Sequence, residues 1–313
     1  MYFPVSGVHV LPLVPPAVAF AISTLATGAG IAGTFLILPF MVSVLGYTSP
    51  AATPTNFICN LVASPGGMVR FIKEGRMNWP LTWVIVSGTI PGVFAGAWIR
   101  VVFLPDAKTF KLFMGIVLLG LGAYQLINSG KRHGKGVLEN KFLERIKNKP
   151  GGKLVSGIPP GLAIKTVLLS FKRIDYDFWG EIYSFNPLML FGIALAVGLV
   201  GGVYGISGAA IIAPVCVSVL KLPVYTIAGS TLAGNFLTSI AGIASYYFFF
   251  SSTRLQGNFA PDWLLGVLFG LGGFLGTYSG AYLQKFLPER LITIILGSLI
   301  VILAVIYITG YFT

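Results

Sequence analysis

Ten apolar stretches, several of them about twenty residues long, decide what this chain can become. They cover 13–29, 31–45, 51–69, 80–103 and 109–127, then 187–203, 208–220, 224–250, 263–283 and 291–311. A helix rises about 1.5 Å per residue, so about 20 apolar residues cross the roughly 30 Å core of a bilayer. Charged residues make up 10% of the chain, against about 25% in soluble domains, too few to cover a water-facing surface. Two cysteines build no disulfide framework. The expectation is an all-α polytopic protein of the cell membrane. Residues 1–10 lack a positive n-region and a small-residue cleavage site, so the first apolar run is expected to stay in the mature protein.

The net charge of +12 suggests nucleic acid until it is located. Eleven of the 21 Lys and Arg lie between Lys131 and Arg173, in the one long polar stretch. A basic segment flanked by apolar spans is a topology signal, placed on the cytoplasmic side by the positive-inside rule, and no nucleic-acid partner is expected.

The two groups of stretches repeat. A shift of 175 positions lays Gly30-Ile31-Ala32-Gly33 on Gly205-Ile206-Ser207-Gly208, Pro39 on Pro214 and Asn60 on Asn235. Twelve of the 38 positions from 30 to 67 are then identical, and shared hydrophobicity does not align Gly, Pro and Asn together. A second match, at an offset of 184, pairs Gly88, Gly92 and Gly96 with Gly272, Gly276 and Gly280, which read as small-residue packing faces. The chain thus divides into a first transmembrane repeat (1–128), a basic cytoplasmic linker (129–187) and a second repeat (188–313). Each repeat is a Gly-broken pair of short helices followed by three full spans. If each broken pair returns to the side it entered from, Arg70, Lys73, Arg76, Lys221, Lys285 and Arg290 all share the linker's side, and the repeats are inverted. If each pair crosses once, the repeats are parallel and Lys221 faces outward. The basic residues favour inversion. Within the linker, 141–149 suits a short amphipathic surface helix and 162–171 an interfacial segment, with Lys165 and Lys172 reaching lipid headgroups.

The breaks carry the chemistry. Backbone at membrane depth is tolerated out of helix only where protein or a watery cavity surrounds it. A helix that begins there presents unsatisfied N–H groups and partial positive charge, which suit an anion without any cationic side chain. Gly28-Ala29-Gly30-Ile31-Ala32-Gly33 also matches a dinucleotide fingerprint, but that motif needs a preceding strand and an acid about twenty positions on. No Asp or Glu precedes Glu74, so a nucleotide role is excluded.

The duplicated G-I-x-G core, the proline six residues beyond its last glycine, the Asn near the start of the next helix and the basic central loop resemble the TauE/SafE family of sulfite-exporter-like transporters. The family's richer G-I-G-G-G is replaced by Gly30-Ile31-Ala32-Gly33-Thr34 and Gly205-Ile206-Ser207-Gly208-Ala209, whose extra atoms reshape the pocket. The resemblance implies transport of a sulfite, thiosulfate or organosulfonate type of anion, whereas the residues themselves argue only for an anion.

Candidate substrate-binding residues follow from the breaks and their matched neighbours: Gly30, Ala32, Gly33, Gly205, Ser207 and Gly208 at the breaks, with Thr55, Asn56, Asn60, Ser230, Thr231 and Asn235 one helix on. Each of these side chains can also serve as interhelical glue. Cys59 and Cys216 read as small apolar fillers. All nine acids and both histidines fall outside the spans, so a buried proton relay, a metal site, a cofactor and an intramembrane enzyme are not expected. The expected function is alternating-access transport; an anion channel and a non-transporting membrane scaffold or sensor are the rivals.

Overall fold

The computed structural model describes residues 1–28, 33–73, 75–130, 164–178, 180–206, 208–220, 222–252, 260–283 and 289–312. Ten α-helices run through them: α1 Val14–Gly28, α2 Ile37–Ser43 entered through a 3-10 turn Gly33–Leu36, α3 Ala52–Lys73, α4 Trp79–Val102, α5 Ala107–Gly130, α6 Pro187–Tyr204, α7 Ala209–Ser218, α8 Val224–Ser252, α9 Trp263–Leu283 and α10 Glu289–Phe312. Among the described residues six helices are long and apolar enough to cross a membrane, namely α4, α5, α6, α8, α9 and α10. The chain is an all-α polytopic membrane protein. Helix α3 has the length to cross but not the hydropathy. Asn56, Asn60 and Ser64 interrupt its apolar run and Arg70 and Lys73 close it, and it hides these amides among other helices.

Contacts fix how the helices run. At one end, the near end, Ser6 donates from N–H and Oγ to Asp262 Oδ2 at 3.2 and 2.8 Å. There too Asp262 N–H donates to Thr55 Oγ1 at 2.9 Å, and the Tyr47 hydroxyl sits 3.2 Å from the same oxygen. The starts of α1, α3 and α9 and the end of α2 therefore gather together, and the α1–α2 pair returns to the end it entered. At the far end, Ile164 N–H bonds Gly75 O at 3.1 Å, Ser230 Oγ bonds Asn78 O at 2.8 Å and the Tyr176 hydroxyl meets Thr226 Oγ1 at 2.9 Å. Arg76 thus shares an end with the last part of the central segment.

Helices at matching places in the two halves run antiparallel. Gly242 of α8 lies on Phe57 of α3, while Gly67 of α3 lies on Leu232 of α8. Gly115 of α5 touches Ala304, Tyr307 and Ile308, and Gly122 touches Gly297, Ile300 and Val301. By contrast α4 runs parallel to α6, and α9 parallel to α1. Gly88, Gly92 and Gly96 of α4 press on the α6 backbone at 191–195, 195–199 and 199–203, and Gly272 and Gly276 of α9 press on Pro16 and Phe20 of α1. Without a hydrophobic drive between spans, such close backbone approach supplies the packing.

Two small antiparallel sheets cap the helices. Strands β1 Tyr2–Phe3 and β2 Val8–His9 form a hairpin whose Phe3 and Val8 join the core of Phe35, Leu36 and Tyr47 around the α1–α2 pair. Strands β3 Lys165–Leu169, β4 Ile174–Phe178 and β5 Glu181–Phe185 form a sheet at the far end, and Ile174, Tyr176 and Phe178 pack with Ile212, Cys216 and Leu222 around α7. Within 162–171, where an interfacial segment was expected, the chain is an exposed strand from Lys165 to Leu169. Alternating Ile174, Tyr176 and Phe178 bury one face of β4, Gly180 at φ 77° turns the chain, and β4 provides β3 with its ladder. The surface helix expected over 141–149 lies outside the described residues.

Candidate functional site

Helix α6 ends in two glycines that only glycine suits. Gly205 caps it at φ 88°, and its N–H and that of Ile206 both donate to Gly201 O, at 2.7 and 3.1 Å. Gly208, at φ 74°, precedes α7, and its carbonyl accepts from Ile211 and Ile212 N–H at 2.9 and 3.0 Å. Both angles are left-handed, and a Cβ at Gly205 would also strike Thr53 at the start of α3. Between them the Gly208 N–H bonds the Ile206 carbonyl, and the chain folds back so that Gly201 lies against Ile206 and Gly208.

The carbonyl released at this break is taken up by amides of α3. Asn56 Nδ2 donates to Gly205 O at 2.8 Å, and Asn60 Nδ2 donates to Asn56 O at 2.9 Å and to Gly205 O at 3.4 Å. The matched residue of α8 completes the network: Asn235 Nδ2 donates to Asn60 Oδ1 at 3.1 Å and to Ser64 Oγ at 2.6 Å. All four side chains are buried, and Asn56 Oδ1 has no partner. The structure therefore brings Asn56, Asn60, Asn235 and Gly205 into one hydrogen-bonded chain. An oxygen acceptor left dry at this place is costly, which is why an amide rather than an apolar residue faces it.

At the first break Gly30 and Ala32 lie outside the described residues, as Ser207 does at the second. Gly33 packs directly on Ser23 of α1, showing the same fold-back. The oxygens of Ser23, Thr24 and Thr27 are enclosed there without partners. Pro39, third residue of α2, removes no intrahelical donor, because the first four N–H groups of a helix have no acceptor within it.

Thr55 and Ser230 stand elsewhere. Thr55 Oγ1 bonds Ala51 O at 2.7 Å and meets Asp262 and Tyr47 at the near end, while Ser230 holds Asn78 at the far end. Burial pushes the Tyr47 hydroxyl up to about 12, so it stays a neutral partner. Asn78 and Asp262 are matching N-caps, accepting from Leu81 and Leu265 N–H at 3.2 and 3.0 Å. Thr231 bonds within its own helix, to Ala228 O at 3.1 Å. Cys59 and Cys216 are free and buried.

Sequence reasoning passed over Arg100. It lies in the apolar stretch 80–103, is wholly enclosed, and has no hydrogen-bond partner on Nε or either terminal nitrogen. The available signal was its spacing, four residues beyond Gly96 on the face of α4 that packs against α6. Thr53, against Gly205, and Tyr246 were also missed; the Tyr246 hydroxyl donates to Gly202 O at 2.9 Å.

Among the described residues no three His, Cys, Asp or Glu side chains come together as a metal site. Asp106, Asp175, Asp177, Glu181 and Asp262 lie outside the helices, and Glu289 opens α10.

Comparison with known proteins agrees with this architecture. The sequence profile of the family described as sulfite exporter TauE/SafE matches residues 16–307. The probable membrane transporter protein YunE of Bacillus subtilis (strain 168) is 20% identical over 283 residues, covering 88% of this chain and 89% of its own. The probable membrane transporter protein y4hK of Sinorhizobium fredii (strain NBRC 101917 / NGR234) is 24% identical over 287 residues, covering 91% and 94%. No solved structure matches. Because the matched region takes in both glycine breaks, the amide network between them, five of the six spans and most of the sixth, the chain belongs to the sulfite exporter TauE/SafE family.

Proposed function

We propose that this membrane protein transports a small sulfur-containing oxyanion of the sulfite, thiosulfate or organosulfonate type by alternating access. The observation that carries the reading is the buried amide chain that ends on the Gly205 carbonyl, at the point where α6 breaks and α7 begins. A helix start that follows a carbonyl held by buried amides, with no carboxylate within the described spans, suits an anion. Ala32-Gly33 and Ser207-Gly208 are the proposed contact points of the backbone, with Asn60 and Asn235 fixing orientation.

Antiparallel α3 against α8 and α5 against α10 support reading 1–128 and 188–313 as inverted repeats around a pseudo-twofold axis. Rocking of one repeat on the other then alternates access to the breaks. The far end, with Arg70, Lys73, Arg76 and the basic linker 129–187, is the proposed cytoplasmic side. Membrane lipids are the other partner, facing the exposed apolar side chains of α5 and α10 such as Ile116, Ile302 and Ile306.

Counterflow in proteoliposomes tests this. Vesicles preloaded with unlabelled sulfite, thiosulfate, sulfate or a sulfonate receive the labelled anion. Uptake that saturates, trans-stimulates and falls at least tenfold in Asn235→Ala is expected. Folded wild-type protein with no counterflow for any sulfur oxyanion would sink the carrier reading.

A further inference from the structure

The glycine faces of α4 and α6 advance in step. Four residues along α4, from Gly88 to Gly92 to Gly96, move the contacted stretch of α6 from 191–195 to 195–199 to 199–203. The next step on α4 in this register is Arg100, and α6 ends one residue past the last contacted stretch, at Tyr204. Three rungs bring the backbones together, and a fourth step carries α4 to Arg100 as α6 reaches its break.

An arginine two residues from a helix end ordinarily snorkels to the water. Arg100 does not: it is 0% exposed, and its guanidinium carbon lies 3.7 Å from the centre of the Phe110 ring. That ring and the packed helices enclose it, and none of its nitrogens has a hydrogen-bond partner. The acid within electrostatic reach, Asp106, is already used, accepting from Lys108 N–H, Thr109 N–H and the Thr109 hydroxyl at 3.0, 3.0 and 3.2 Å to cap α5. Two hydroxyls lie at this end of the break. Tyr246, which donates to Gly202 O, interacts electrostatically with the guanidinium, and Thr53 stands between Tyr246 and Gly205.

We propose that Arg100 is the cation of an oxyanion-binding site at the second break. A guanidinium presents a planar fork of N–H donors that matches two oxygens of one anion, and an enclosed, unpaired one favours such a ligand strongly. The ligand class is a small oxyanion with at least two terminal oxygens, held by Arg100 with the Thr53 and Tyr246 hydroxyls on its flank. This site rests on the reading of the breaks as the anion pathway, and it adds a fixed charge where helix N-termini alone were expected to suffice.

Purified full-length protein is titrated with sulfite, thiosulfate, sulfate, methanesulfonate or acetate, each against sodium chloride at equal ionic strength, and the unfolding temperature is followed. At least one oxyanion is expected to raise it in the wild type. Arg100→Gln is expected to abolish the rise, and Arg100→Lys, which keeps charge but loses the fork, to weaken apparent affinity at least tenfold. A merely structural arginine would lower the unfolding temperature on substitution but leave any anion dependence in place. No oxyanion response in folded wild type, or equal responses in the variants, overturns the proposal. Should Arg100→Gln not yield monodisperse protein, Arg100→Lys and Tyr246→Phe carry the comparison. Counterflow separates the two readings: flux indifferent to Arg100 removes this site and keeps the carrier, whereas Arg100-dependent stabilisation without flux does the reverse.

Discussion

The two broken helix pairs each set a glycine against the helix before it, Gly33 on Ser23 and Gly208 on Gly201, and differ in what surrounds them. Ser23, Thr24 and Thr27 line α1 before its break, but a shift of 175 positions places Gly198, Leu199 and Gly202 at the same points of α6. Polarity at the first break therefore comes from within the pair. At the second it comes from neighbours: Thr53 and Asn56 of α3, Tyr246 of α8 and Arg100 of α4. The caps differ as well, a two-stranded hairpin over α1–α2 and a three-stranded sheet over α6–α7. Because glycines at 198 and 202 let α4 approach α6 closely, a side chain from α4 can serve a break that α6 itself cannot furnish with hydroxyls.

If the halves are equivalent as packing units, matched changes must cost alike. A Cβ on Gly92 would overlap the Leu195 carbonyl, and one on Gly276 the Phe20 carbonyl. Gly92→Leu and Gly276→Leu are each expected to cost about 3 kcal/mol or more, because backbone cannot yield as a side chain does. Yield of monodisperse protein and its unfolding temperature check this. Loss in one variant only would break the equivalence.

The amide chain should show the opposite, an asymmetry. Asn60 bonds Asn56 O, Gly205 O and Asn235, whereas Asn235 donates to Asn60 and Ser64. At about 0.6–1 kcal/mol for each buried bond, Asn60→Ala is expected to cost about 2 kcal/mol and Asn235→Ala somewhat less. Equal costs would mean that Gly205 does not depend on Asn60.

The matched caps sharpen the contrast between the two sheets. Asp262 holds Leu265 N–H and also Ser6 of the hairpin, while the Asn78 amide nitrogen is buried without a partner. Asp262→Ala is expected to cost about 2 kcal/mol and Asn78→Ala about 1 kcal/mol. Hydrogen exchange should rise over residues 1–10 in the first variant alone.

These differences explain what could be read from sequence. The spans, the breaks and the glycine faces are local patterns: apolar length, Gly at fixed spacing, Pro and Asn in register. The sheet at 165–185 was missed because its strands alternate in a stretch rich in Lys and Asp, where charge hides the periodicity of Ile174, Tyr176 and Phe178. Thr55 and Ser230 match across the repeat, and each ties a helix start to the N-cap of a helix in the other half, a pairing that sequence alone does not show. Arg100 escaped because a cation near the end of an apolar run reads as a side chain that reaches the headgroups. Only the structure shows that it is enclosed by protein instead.

The smallest expected effect tests whether that packing is specific to one face. Gly192 lies on α6 with nothing within 4 Å of an added Cβ, whereas Gly198 on the same helix would meet the Thr89 backbone. Alanine is the better helix former by about 1 kcal/mol, so Gly192→Ala should leave the unfolding temperature unchanged or raise it slightly. Gly198→Ala should lower it, since α4 must then move outward and carry Arg100 away from the break. If both substitutions proved neutral, α4 and α6 would not be held at backbone contact, and the step from Gly96 to Arg100 would no longer bring α4 to the break in register. If only Gly198→Ala is destabilising, the ladder that positions Arg100 is set by one narrow face of α6.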